Sequence, residues 1–138
     1  MDHVIVPYAF FDPEGRAGER PQRAARRREA GAGPARHLYC ARCRRRITAT
    51  DERISVNGQH EHSCVNPYGL RFHIGCFRAA PGCAAVGGAT AEHTWFPGFA
   101  WRVAVCAGCN AHLGWLFQAA GDGFYGLIMA RLTAAPGA

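Results

Sequence analysis

An all-β domain is the fold class this 138-residue sequence predicts, and three observations carry the prediction. From residue 37 onward apolar residues come in short runs that alternate with polar ones at a period of two. Gly, Pro and Asn cut these runs at close intervals, as turns between strands require. No apolar stripe at 3.6-residue spacing is long enough for a helical bundle. The length suits one modest domain with a single fold unit and whatever hangs off it.

Taken in order, residues 1–36 read as an appendage. Val4, Ile5, Val6, Tyr8, Phe10 and Phe11 form a short apolar head. An arm follows from Glu14 to Arg36 that is rich in Arg, Ala and Gly and holds no large apolar residue, too little to offset the entropy of ordering. It is expected to be flexible, with helix between Gln22 and Ala30. Residues 37–138 are the expected domain. Leu70, Phe72, Ile74 and Cys76 alternate with polar or small residues, as do Phe99, Trp101, Val103 and Val105. A third run, Phe124 to Leu132, is dense enough for a strand buried on one face or on both. Turns are expected at Asn57-Gly58, at Asn66-Pro67 with Gly69 behind, and at Pro97-Gly98.

All 16 basic residues are arginine, and 10 acids leave a net charge of +6. Arg42, Arg44, Arg45 and Arg46 cluster, yet neither segment is a polycation, so nucleic acid is not expected as a partner. No stretch approaches the roughly 18 apolar residues of a membrane span, and the N-terminus does not resemble a signal peptide. A soluble cytoplasmic protein is the expectation.

Four of the seven cysteines form two pairs, Cys40-Ala41-Arg42-Cys43 and Cys106-Ala107-Gly108-Cys109. A CxxC turn lets two thiolates converge on one ion, and tetrahedral zinc wants four soft ligands. Disulfides within each pair would close tiny loops and stabilise little. One structural Zn²⁺ per chain is therefore expected on Cys40, Cys43, Cys106 and Cys109. With 62 residues between Cys43 and Cys106, the metal must clip distant parts of the fold together. Four thiolates leave no open position, which excludes a catalytic role for that ion. Cys76 is expected as a small buried hydrophobe. His60 and His62 alternate and are read as solvated loop residues rather than as a second metal site.

The three tryptophans, Trp95, Trp101 and Trp115, fall within 21 residues and bracket the second CxxC pair. A Pro97-Gly98 turn sets Trp95 and Trp101 on either side, and a hairpin through the CxxC turn returns Trp115 and Phe117 beside Trp101. The expected result is an aromatic box. With no acid confidently beside it, a neutral ring with hydrogen-bonding edges suits it better than a cation.

These residues resemble the CULT domain, the thalidomide-binding module of cereblon and of small single-domain bacterial proteins. The first CxxC pair, Asn66-Pro67-Tyr68-Gly69, the EHTWFPGFAW run at Glu92 to Trp101, CAGCNAHLGWLF at Cys106 to Phe117 and the FYGLI run follow its order and spacing. The resemblance spans about residues 37 to 133. It implies a β-tent, two antiparallel sheets at a steep angle pinned by one Cys₄ zinc. It implies a bacterial, non-enzymatic binding module whose tri-tryptophan cage takes cyclic imides of the glutarimide or thalidomide kind, peptides ending in a cyclic imide, or uridine-like rings. On that resemblance Trp95, Trp101 and Trp115 form the cage and Phe117 a fourth wall. His93 and the Trp95 backbone bond the imide edge, and Asn66 and Pro67 cover the rim. No ubiquitin ligase adaptor region is visible, and hydrolysis of a bound ring stays open. The competing reading is a zinc-scaffolded oxidoreductase similar to B-type methionine sulfoxide reductase, with Cys64, Cys76 or Cys83 as nucleophile.

Overall fold

The computed structural model describes residues 26–28 and 35–136. Its strands are β1 (Arg26–Arg28), β2 (His37–Cys40), β3 (Arg46–Ala49), β4 (Ile54–Val56), β5 (Glu61–Val65), β6 (Arg71–Phe77), β7 (Cys83–Thr90), β8 (Ala100–Cys106), β9 (His112–Ala119), β10 (Asp122–Ile128) and β11 (Leu132–Thr133). Two antiparallel sheets make the domain, as the family resemblance implies. A six-stranded sheet runs β5-β6-β10-β9-β8-β7, and a three-stranded sheet runs β11-β2-β3. Strand β1 adds a short ribbon by pairing with β4. Helix was expected across Gln22–Ala30, whereas Arg26–Arg28 are extended; the strand ladder on β4 supplies hydrogen bonds that an arm of this composition cannot supply for itself. The apolar head Val4–Phe11 and the rest of the arm, apart from Ala35 and Arg36, lie outside the described residues.

The turns form where the sequence places them. Asn57 and Gly58 both have positive φ, 52° and 91°, and Val56 and Gln59 exchange backbone hydrogen bonds across them, the twist-matched hairpin turn. At Asn66 the side-chain Oδ1 accepts from the N–H groups of Tyr68 and Leu70, both at 2.9 Å, so this buried amide closes its own loop. Leu70 is consequently a turn residue and exposed; strand β6 starts one residue later than the alternation suggests. Phe99 N–H donates to Phe96 O at 2.9 Å across Pro97-Gly98, with Gly98 at φ 95°.

The central strand β10 is buried on both faces. Phe124 and Ile128 join a cluster with Ile74, Cys76, Phe96, Phe99, Trp101, Trp115 and Phe117. Leu127 joins a second cluster with Cys40, Ile47, Phe77, Cys106 and Leu113. Period-two alternation sends neighbouring residues to opposite sides, so one sheet serves two cores. Between β8 and β9 the register shifts at Ala104 and Val105. The extra residue there is Leu113 of β9, and plain alternation along β8 puts Trp101 in the first cluster and Cys106 in the second.

The close pairing of β9 with β10 depends on Gly114, where a Cβ would lie 2.0 Å from the Gly126 carbonyl oxygen. Gly114→Ala should destabilise the domain by about 2 kcal/mol or more, since backbone has to move to admit it. Gly88→Ala, where nothing lies within 4 Å, should stay within about 0.5 kcal/mol. Urea denaturation of both variants checks the pair.

Candidate functional site

Two features stand out among the described residues: a cluster of four thiols, in the core cluster that holds Cys40 and Cys106, and a group of indoles in the other core cluster. The thiols come from the turn after β2 and the turn between β8 and β9, and the two turns are built alike. Arg44 N–H donates to Cys40 O at 2.8 Å and Asn110 N–H to Cys106 O at 2.8 Å. Cys40 N–H donates to Arg45 O and Cys106 N–H to Ala111 O, again both at 2.8 Å. The residue after each pair is left-handed, Arg44 at φ 67° and Asn110 at φ 65°. Asparagine suits that conformation, and arginine adopts it at a cost of about 1 kcal/mol.

The four sulfurs lie within 4.8 Å of one another, with Cys40 to Cys109 at 3.8 Å and Cys43 to Cys106 at 3.6 Å. A tetrahedron with metal–sulfur bonds of about 2.3 Å has an edge of about 3.8 Å, so the cluster can hold one zinc ion. Burial raises the Cys106 thiol, but the amides of Cys109 and Gly108 outweigh it and bring the group down to about 7. At Cys43 the Arg45 amide lowers the thiol, while burial and the neighbouring thiols Cys106, Cys109 and Cys40 carry it up to about 11. Four thiolates this close ionise together only around a cation.

The other three thiols are different. Burial pushes Cys64 up to about 12; burial, then the neighbouring Cys106 and Cys40, does the same to Cys83. Cys76 is fully buried and its thiol is raised further still, by burial first and then by Cys64. Neutral thiols packed in a core lack the thiolate that a reductase nucleophile needs. His60 and His62 are not solvated loop residues. His60 is buried, its Nδ1–H donates to Ile54 O at 3.0 Å, and its ring sits edge-on to Phe77 at 5.3 Å. His62 packs edge-on to Phe96 at 5.2 Å.

The tryptophans reach their places by two routes. Trp101 on β8 faces Phe117 on β9, and Val103 faces Trp115, so strand register alone puts Trp101, Trp115 and Phe117 on one sheet face. Trp95 comes from the loop between β7 and β8, whose chain reversal includes His93 at φ 60°. Its ring meets Trp115 edge-on at 4.8 Å between centroids. Trp115 is fully buried and Trp101 nearly so, while Trp95 is half-buried. The indole N–H of Trp101 donates to Glu92 O at 2.8 Å and that of Trp95 to Val65 O at 3.2 Å. Trp95 and Trp115 thus pack against one another, and Trp101 shares their apolar cluster.

Pro67 is exposed beside buried Asn66. His93 is half-buried just ahead of Trp95. Phe117 lies deep, against Phe96 at 4.8 Å and Phe124 at 5.2 Å. Three neighbours escaped the sequence reading. Phe72 touches both Trp115 at 5.2 Å and Trp95 at 6.2 Å. Phe96 is an aromatic hub between His62, Phe117 and Phe124. His112 stands edge-on to Trp115 at 4.9 Å and is held neutral, brought down to about 4 by burial and then by Arg131. Phe72 shares a strand face with Ile74, which marks it for the core, and only the pairing of β6 with β10 brings it to the indoles.

The sequence has relatives among characterised proteins. The chain is similar to cereblon. Cereblon of Danio rerio is 33% identical over 84 residues, covering 59% of this chain and 20% of the relative. Cereblon of Gallus gallus is 34% identical over 84 residues, 59% of this chain and 19% of the relative. Cereblon of Xenopus tropicalis is 42% identical over 55 residues, 40% of this chain and 12% of the relative. The chain therefore matches a fifth or less of these cereblons. No family model matches the sequence. Among the described residues no helix is long and apolar enough to cross a membrane.

Two outcomes test the thiol cluster. Cobalt(II) added to the reduced chain should give the intense thiolate-to-metal charge-transfer and tetrahedral d–d bands of a Cys₄ site. Cys106→Ser should alter the bands, while Cys83→Ser, outside the cluster, should leave them intact. Arg44→Gly should raise stability by about 0.5 to 1 kcal/mol by relieving the left-handed arginine, read from the thermal midpoint.

Proposed function

We propose that this chain is a non-enzymatic ligand-binding module, with one structural zinc on Cys40, Cys43, Cys106 and Cys109 and a cage of Trp95, Trp101 and Trp115 that takes cyclic imides. The observation that carries the reading is the gathering of all three indoles and Phe117 into one aromatic cluster, with a single wall, Trp95, supplied by a loop. The similarity to cereblon supports it. So does the chemistry: a cyclic imide offers an acceptor–donor–acceptor edge, and its aliphatic carbons prefer indole faces to water.

In this reading Trp101 and Trp115 are fixed walls and Phe117 backs them. Trp95 turns outward on entry, and the ring replaces its contact with Trp115. His93 and the Trp95 backbone serve the imide edge. Asn66 acts through the turn it closes, since its Oδ1 is already engaged by Tyr68 and Leu70; Pro67 covers the rim. A glutarimide or uridine-like ring fits the class, as does a peptide whose C-terminus has cyclised to an imide. The metal, with four thiolates and no open position, holds the turns together and takes no part in binding. Nucleic acid is not among the proposed partners, and the chain is proposed to act in the cytoplasm of a bacterium.

Tryptophan fluorescence tests this directly, because all three indoles of the chain lie in the proposed site. Titration with thalidomide should quench saturably in the wild type and not in Trp101→Ala. A flat response from folded, metal-bearing protein overturns the reading.

A further inference from the structure

The arginines that cluster in the sequence, Arg42, Arg44, Arg45 and Arg46, do not form one patch. Arg42 lines one cavity together with Arg131, and Arg44 turns its guanidinium to Ala135 O at 3.5 Å. Arg45 and Arg46 line another, a cavity of about 580 Å³ along β3 with Pro81 and Gly82 as a further wall. We infer that this second cavity is a binding site for a compact phosphate-type oxyanion, a phosphate monoester, held by Arg45 and Arg46. It shares no residue with the indole cluster, so the inference stands apart from the ring-binding proposal.

Charge is what the lining offers. Neither guanidinium has a hydrogen-bond or ion-pair partner among the described residues. Glu52, the one acid in the lining, is paired with Arg78 at 3.3 Å, so its charge is already met. His37, opposite Ala49 in the β2–β3 ladder, adds a ring N–H donor. A phosphate monoester carries close to two charges and three terminal oxygens, which matches two guanidinium forks, whereas a single carboxylate satisfies one of them.

The walls are fixed in advance. Gly82 N–H donates to Ile47 O at 3.0 Å, and a Cβ on Gly82 would lie 2.1 Å from Arg46 O, so this wall is pressed onto β3. Thr48 is buried, and its hydroxyl donates to Ala79 O at 2.7 Å. The stem of Arg45 rests on the second CxxC turn, where a Cβ on Gly108 would lie 3.1 Å from Arg45 Cδ. Closure of the four-sulfur cluster therefore sets where the Arg45 guanidinium starts, and less side-chain freedom is lost on binding. The volume admits a phosphate with an organic group the size of a sugar. With Arg42 and Arg44 directed elsewhere, the two remaining cations make no track for a polyanion, so the ligand is a small molecule rather than a nucleic acid.

Calorimetry on the full, metal-loaded chain, in a phosphate-free buffer of low ionic strength, tests this with ribose 5-phosphate, ribose and inorganic phosphate. Ribose 5-phosphate should bind saturably with Kd below roughly 1 mM, inorganic phosphate should compete with it, and ribose should give no signal. Arg46→Ala and Arg45→Ala should each weaken ribose 5-phosphate at least about fivefold, and Arg45→Lys, which keeps the charge and loses the fork, by about twofold or more. Arg42→Ala removes the same charge outside the cavity and should change affinity by less than about twofold. The bands of the cobalt-loaded cluster should be unmoved by the ligand, and they should persist in Arg45→Ala; where they are lost there, Arg46→Ala decides. Absence of ribose 5-phosphate binding, a shift of the cobalt bands by the ligand, or an equal loss in Arg42→Ala and Arg46→Ala overturns the site. So does a short single-stranded oligonucleotide that binds more tightly than ribose 5-phosphate and is weakened equally by all three alanine variants, the signature of a track along the turn.

Discussion

Four sulfurs within 4.8 Å of one another tie the turn after β2 to the turn between β8 and β9, and these turns belong to different sheets. No strand of one sheet pairs with a strand of the other among the described residues; besides this cluster, the small sheet is held by Gly82 N–H donating to Ile47 O at 3.0 Å, by the Thr48 hydroxyl donating to Ala79 O at 2.7 Å and by the apolar cluster that Ile47 and Cys40 share with Phe77 and Leu127. The turn that carries Cys106 and Cys109 is also the turn of the β8–β9 hairpin, in which, beyond the register shift, Val103 faces Trp115 and Trp101 faces Phe117. A metal ion held by the four sulfurs would cross-link the two sheets and add to what apolar burial supplies.

The sheet answers a second constraint, the need to be apolar on both sides. Small residues make that possible. Gly126 lies where a Cβ would press on Ile74 and Phe117, and Gly114 lies against the Gly126 carbonyl. With side chains absent at these two positions, β9 and β10 approach closely and the large rings of Phe117, Phe124 and Trp115 fill the space instead. The aromatic cluster is thus as much a consequence of two glycines as of the aromatics themselves.

Much of this was legible in the sequence, because local chemistry decides it. Turn residues at Asn57-Gly58 and Pro97-Gly98, period-two alternation and paired CxxC turns need no tertiary context, and all appear in the fold. What was not legible depends on partners distant in the chain. His60 and His62 look like loop residues because their burial comes from Phe77 and Phe96. Leu70 looks like a strand residue because the Asn66 side chain that claims its N–H lies four residues back and outside the alternation. In the arm, composition argued for helix at Arg26–Arg28, and the ladder on β4 overrode propensity. Phe72 reads as core from its strand, and it touches the site only because β10 sits between β6 and β9.

The division between strand and loop also says which part of the indole cluster can respond to a ligand. Trp101 and Trp115 are carried by paired strands, and moving either breaks ladder hydrogen bonds on both sides of it. Trp95 has no such ladder. Its loop is held by short turns, including Thr94 N–H to Ala91 O at 3.2 Å and the Thr94 hydroxyl's bonds to Phe96, together with the single indole bond to Val65. Loop positions of this kind open at lower free energy than strand cores. For the proposed ring ligand Trp101 and Trp115 would be the fixed floor and Trp95 the wall that turns, so opening would cost the contacts of Trp95 with Trp115 and Phe72 and its indole bond to Val65, and a ring seated on the floor would replace the first of these.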